Sequence, residues 1–175
     1  MKAEPLVNRL KSGIYLYSIR DYENSFINIF IALDITAKKR YPKQDVGIRN
    51  RQLLSDTESL TQKFSTGHVL RGLNINGLTF PKIFYKFGRN ALIHDGALDN
   101  KLSISDEKGI RIGVDRWDFH HSYIISMAIA IIACEENANF DFHESLEYKS
   151  RFGAIDLNSL WGKEKLLKFK LSIPD

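Results

Sequence analysis

One cysteine in 175 residues excludes an intramolecular disulfide and any multi-cysteine metal centre. That residue, Cys134, falls inside an apolar segment, where a free thiol packs as a small hydrophobe. Long hydrophobic runs are also missing. The longest, Tyr123 to Cys134, is interrupted by Ser126 and falls short of the roughly 20 residues a bilayer-spanning helix needs, so it reads as a core helix and no membrane partner is expected. Met1 to Ser12 carries charge and Pro5 without an apolar centre, which does not read as an export signal. A reducing, cytoplasmic setting follows as the expectation. The chain lacks a glycine-rich phosphate loop, an internal repeat and a low-complexity tract, which leaves P-loop nucleotide hydrolysis without support. His120 and His121 are neighbours that cannot both face one ion from a helix, and no carboxylate or cysteine stands at a familiar zinc spacing. Neither a metal nor another cofactor is expected. The net charge of +4 permits an anionic partner such as RNA but is below that of a dedicated nucleic-acid scaffold.

What is present is apolar mass in helical spacing. With 43% hydrophobic residues, the chain has enough for one domain over residues 1–175, with a core at about 5–137 and a C-terminal extension over 138–175. Leu6, Leu10, Ile14 and Tyr17 follow Pro5 as a first helix. Asp21 can cap a second, whose Phe26, Ile27, Ile29, Phe30, Ile31, Leu33 and Ile35 are apolar nearly all round and predict the central core helix. Asp34 interrupts that surface. It either orients a nearby cation or sits at the helix edge near solvent. Pro42 breaks the helix, and Lys38, Lys39, Arg40, Lys43, Arg49 and Arg51 then make a basic stretch that reads either as a phosphate-tracking surface or as a solvated face.

Leu53, Leu54, Leu60 and Phe64 predict a third helix over Gln52 to Gly67, and a turn-rich segment with Gly72, Asn76 and Gly77 follows. Pro81 suits the first turn of the next helix. Beyond it, Leu102 and Ile104 alternate with serines, and Ile110, Ile112 and Val114 alternate again after a turn, which predicts a short β-hairpin between the last two core helices. Arg116 to His121 is expected to open the last helix, with Asp118 as its cap. The fold class expected is mainly α. The extension spreads Phe140, Phe142, Tyr148, Phe152, Trp161 and Phe169 among charges. It can lie over the bundle, add an edge strand or meet another subunit, and its aromatics suit core packing or base stacking.

The chemistry concentrates between Tyr85 and Gly96. Ile83, Phe84, Phe87, Ala91 and Leu92 give helical spacing, and Gly96 supplies the stop. Asn90 and His94 then share one helix face. Arg89 lies about 140° around from His94, at roughly 100° per residue, so its side chain must swing back or serve a neighbouring chain. A guanidinium fork suits phosphate oxygens, and imidazole can give or take a proton near neutral pH. In a purely structural reading the same Arg and His cap a helix end, each worth about 0.3 to 1 kcal/mol.

This stretch resembles the Arg-x4-6-His signature of the HEPN superfamily, in which a polar residue, often Asn, follows the Arg. Arg89, Asn90 and His94 match it, with Asp95 and Gly96 after them and long apolar helices on either side. A second Arg-x4-His spacing, Arg116 to His121, lacks the Asn, the preceding aromatic run and the following Gly. The resemblance, from about Asp21 to Asn137, implies an up-and-down helical bundle that dimerises so that two such helices build one composite site. It further implies metal-independent endoribonuclease chemistry, as in toxins and antiviral defence effectors, with an antitoxin or other protein regulator as a further partner. His94 would be the acid or base, Arg89 the phosphate ligand and Asn90 the orienting group, with Asp34, Tyr85 and Asp95 supporting them. Other members imply the alternative, a non-catalytic module for dimerisation or for binding a nucleotide or protein.

Overall fold

The computed structural model describes residues 4–70, 72–113 and 116–174, and the chain is mainly helical. Helix α1 (Pro5–Ser18) begins on proline, whose missing N–H costs nothing in a first turn. Helix α2 (Tyr22–Arg40) is capped by the Asp21 carboxylate, which accepts from the Asn24 N–H, and it ends before Pro42. The two are pressed together at Gly13. A Cβ there would come within 2.4 Å of Ile29 Cδ1, so only glycine lets the helices approach this closely. Helix α3 (Val46–Thr66) starts six residues before the expected Gln52 and carries Arg49 and Arg51 on its first turns. It stops at Gly67, in the left-handed conformation that terminates helices.

The turn-rich segment makes a two-stranded ladder, β1 (Asn74–Ile75) against β2 (Leu78–Thr79), closed by Asn76 and Gly77, both at positive φ. The motif segment is not one regular α-helix. It is a short α4 (Phe80–Ile83), a π-helical stretch from Phe84 to Asn90, and a last turn, α5 (Ala91–His94), with Gly96 at φ +76 beyond it.

The expected hairpin is corrected. β3 (Leu102–Ser105) and β4 (Ile110–Ile112) do not pair with each other, because β5 (Trp117–His120) lies between them, parallel to β3 and antiparallel to β4. Val114, expected at the end of the second strand, lies outside the described residues. The segment from Arg116 to His121 is therefore not the opening of a helix, and Asp118 lies mid-strand. Trp117 and Phe119 meet Leu102, Ile104, Ile110 and Ile112 across the ladder, and both aromatics are buried.

Helix α6 (Ser122–Ala133) follows at once, and all its residues are buried. It, and not α2, is the most enclosed helix, since α2 keeps a partly exposed face. Among the described residues no helix is long and apolar enough to cross a membrane. The C-terminal segment lies over the bundle. Phe142, Leu157, Leu160, Trp161 and Ile173 join the core, β6 (Glu147–Ser150) pairs with β7 (Gly153–Asp156), and α7 (Glu164–Lys170) closes the chain.

Candidate functional site

The motif is positioned by Gly88. It lies in the π-helical stretch against α2, where a Cβ would approach Phe26 Cζ to 2.7 Å. Any larger residue would push the stretch away from the core, so Gly88 sets where Arg89 emerges. A π-turn widens the helix by one residue and recurs at functional sites.

Arg89 and Asn90 are both partly exposed, and Arg89 Nη1 donates to Asn90 Oδ1 at 3.0 Å. The Arg89 guanidinium carbon also stands 5.7 Å from the centre of the Tyr85 ring. Asn90 thus holds one guanidinium nitrogen through its amide oxygen. His94 and Asp95 are exposed, and no hydrogen bond or ion pair joins His94 to Arg89 or Asn90 within the chain. The three residues occupy one end of one helix, but only two of them touch.

Asp34 contacts neither Arg89 nor His94 by hydrogen bond. It accepts from Arg49 Nη2 at 2.8 Å and Nε at 3.2 Å. It does share a small depression with Arg89, lined also by Ile27, Phe30, Ile31 and Ile93, so its charge faces the same space.

The six cations of the basic stretch do not form one surface. Arg40 is enclosed by Glu136, Glu164 and Asp56, at 2.8, 2.6 and 3.3 Å. Lys39 lies over the Phe140 ring at 3.9 Å, and Arg49 is held by Asp34. Lys38 and Lys43 point to solvent. Arg51 alone reaches the motif, with its guanidinium carbon 5.3 Å from the Tyr85 ring centre.

A second polar cluster, not foreseen from the sequence, forms where β5 meets α6. His120 Nδ1 accepts the Ser122 N–H at 3.2 Å and lies 2.7 Å from Ser122 Oγ, which in turn lies 2.7 Å from Ser65 Oγ. A ring nitrogen that accepts from an amide carries no proton, so His120 is neutral here. His121 stacks on Tyr22 at 4.7 Å and meets the Tyr17 hydroxyl at 2.7 Å. Burial holds both imidazoles below the usual histidine range, and for His121 the adjacent His120 adds to the effect. Alternation of Trp117 and Phe119 with Asp118 and His120 was the period-two signal that could have revealed this strand.

A family model, Rv1289, matches residues 6–173. The chain belongs to the Rv1289 family. That match spans the helical core and the C-terminal segment together, so the Rv1289 unit includes β6, β7 and α7 as well as the helix that carries Arg89. No curated protein and no solved structure matches the chain.

Proposed function

We propose that this Rv1289-family chain is a metal-independent endoribonuclease of HEPN type, acting on RNA as a homodimer. The observation that carries the reading is Arg89. It is oriented by Asn90, has no carboxylate partner among the described residues, and leaves the same helix end as the exposed His94. A guanidinium held without a counter-charge suits a phosphate.

In this reaction the ribose 2′-oxygen attacks the adjacent phosphorus while the bond from phosphorus to the 5′-oxygen breaks. One proton leaves the 2′-hydroxyl and another reaches the departing 5′-oxygen. His94 of one chain serves one transfer and His94 of the second chain the other, and Arg89 balances the charge that grows on the phosphoryl oxygens. The half-exposed Ile93, with Ile27 and Ile31 beside it, supplies an apolar face for the second copy. Such a dimer would bring a second His94 to the site, which one chain lacks. Use of the 2′-hydroxyl means that DNA is not cut. The biological role in this reading is that of a toxin or defence effector under a protein regulator.

The separation of His94 from Arg89 and Asn90 within one chain favours a second reading, a HEPN-like module that dimerises or binds a nucleotide or protein without cleaving it. The deciding experiment is cleavage of a mixed RNA pool in EDTA by wild type, Arg89→Ala, His94→Ala and Arg116→Ala. Arg116 directly precedes β5 and pairs with Asp118 at 3.1 Å, so it controls for charge. Loss in the first two variants and retention in the third supports the ribonuclease. A folded, dimeric wild type that cuts nothing moves the conclusion to the binding module.

A further inference from the structure

We infer that Arg51, Tyr85 and Arg89 form a phosphate subsite that holds a backbone phosphate of the RNA beside the one being cleaved. It rests on the ribonuclease reading for the identity of its ligand, while its geometry stands apart from His94.

Both guanidinium carbons lie within about 6 Å of one ring centre, the range of a cation–π contact, at 5.3 Å for Arg51 and 5.7 Å for Arg89. Two like charges gathered on one ring repel, and neither has a carboxylate partner among the described residues. Elsewhere Arg40, Arg49, Arg111 and Arg116 each pair with an acid, and Arg9 and Arg151, which do not among the described residues, stand apart as single cations that donate to Asn28 and to the Ser65 carbonyl. Asp34, the acid that shares the depression with Arg89, is already bound by Arg49.

The Tyr85 hydroxyl adds a donor, having no hydrogen-bond partner among the described residues, and Phe30 packs near its ring at 6.3 Å. Gly47 keeps this corner open. A Cβ there would stand 3.1 Å from Tyr85 Oη and 3.3 Å from Arg51 Nη1, so the bare backbone lets both groups gather on the first turns of α3. Two guanidinium forks and a phenolic hydroxyl, without a counter-ion, match the several anionic oxygens of a phosphate and not a neutral ligand. Because Asn90 takes only one Arg89 donor, the remaining donors can span this subsite and the cleavage site.

The test is binding, in EDTA, of a fluorescein-labelled 2′-O-methyl oligoribonucleotide, which lacks the attacking hydroxyl and cannot be cleaved. Strands with and without a 5′-phosphate are compared by anisotropy. Arg51→Ala should weaken binding about tenfold or more, the scale of a lost charged hydrogen bond. Arg51→Lys should recover part of that loss by keeping the charge without the fork, and Tyr85→Phe should show a smaller loss. Lys149→Ala, an exposed cation on β6, should change binding less than about twofold. Equal loss on both strands supports a backbone phosphodiester in the site, and loss confined to the phosphorylated strand overturns that assignment in favour of a terminal phosphate. Wild-type binding by Arg51→Ala and Tyr85→Phe overturns the subsite, as does a wild type that binds neither strand. If RNA is cleaved through Arg89 and His94 but binding ignores Arg51, the subsite alone fails. If binding needs Arg51 but no RNA is cut, the subsite stands and the ribonuclease reading fails.

Discussion

Arg40 and Arg89 are the same side chain put to opposite uses. Arg40, at the end of α2, is mostly buried and surrounded by carboxylates from three other parts of the chain: Asp56 on α3, Glu136 just beyond α6, and Glu164 on α7. Burial alone would raise the Glu136 carboxyl, yet the hydrogen bonds from Arg40 bring it below its ordinary value. Arg89 meets a ring and a neutral amide instead. Arg40, compensated by acids, fastens elements together, whereas in the function proposed above Arg89, oriented but uncompensated, is the charge offered to a phosphate.

The comparison is broken most severely at Arg40. Arg40→Ala takes the shared counter-charge from Asp56, Glu136 and the buried Glu164, which keeps only Lys168, and the expected loss is about 2 to 4 kcal/mol of stability in urea unfolding, less than for a fully buried pair because Asp56 and Glu136 are partly exposed. A loss below about 1 kcal/mol would deny the cluster its fastening role. Gly88→Ala comes next, since the new methyl meets Phe26; about 1 to 3 kcal/mol is expected, together with reduced RNA cleavage, because the motif helix must shift. Arg89→Ala should do the reverse of Arg40→Ala. It costs about 1 kcal/mol or less in the same assay, one hydrogen bond at a partly exposed position, while cleavage disappears.

The β5–α6 junction sharpens the contrast in a third way, because its histidines are held neutral. Their folded pKa values lie below the unfolded value near 6.5, so their contribution to stability is complete above that pH. As pH falls below it, the unfolded chain takes up protons that the folded chain refuses, and stability drops until the folded values are passed. Melting temperatures from pH 8 to 5 should record that fall, and His120→Asn, which keeps an acceptor for the Ser122 N–H without titrating, should shallow it. The smallest effect belongs to the exposed pair Lys165–Glu135, at 2.8 Å, whose removal by Lys165→Ala should change stability by about 0.5 kcal/mol or less. A larger change there would mean that α7 is fastened by more than the Arg40 cluster and its apolar contacts.

Much of the helical frame was legible because its signals are local. Asp21 as a cap, Pro42 as a break, Gly67 and Gly96 as stops, and the apolar run ending at Cys134 each act within a few residues of themselves. Other features were not legible. The β5 segment is four residues long and runs straight into α6, so its alternation fits an opening helical turn equally well until β3 and β4 are seen on either side of it. The early start of α3 was hidden because Val46 to Arg51 mixes a glycine, an asparagine and two arginines with only two apolar side chains, Val46 and Ile48, both exposed.

For the candidate site, the sequence alone determined which residues are present and that Arg89, Asn90 and His94 leave one helix end, since spacing of one to five residues in a helix needs no tertiary information. Tertiary packing supplied the rest: the close seat of Gly88 against Phe26 on α2; the loss of Arg40 and Arg49 to carboxylates elsewhere; and the meeting of Arg51 with Arg89 on Tyr85. Each of these depends on which distant groups come within a few ångströms, and the balance of charge around a side chain is set by those neighbours and not by its own position in the chain.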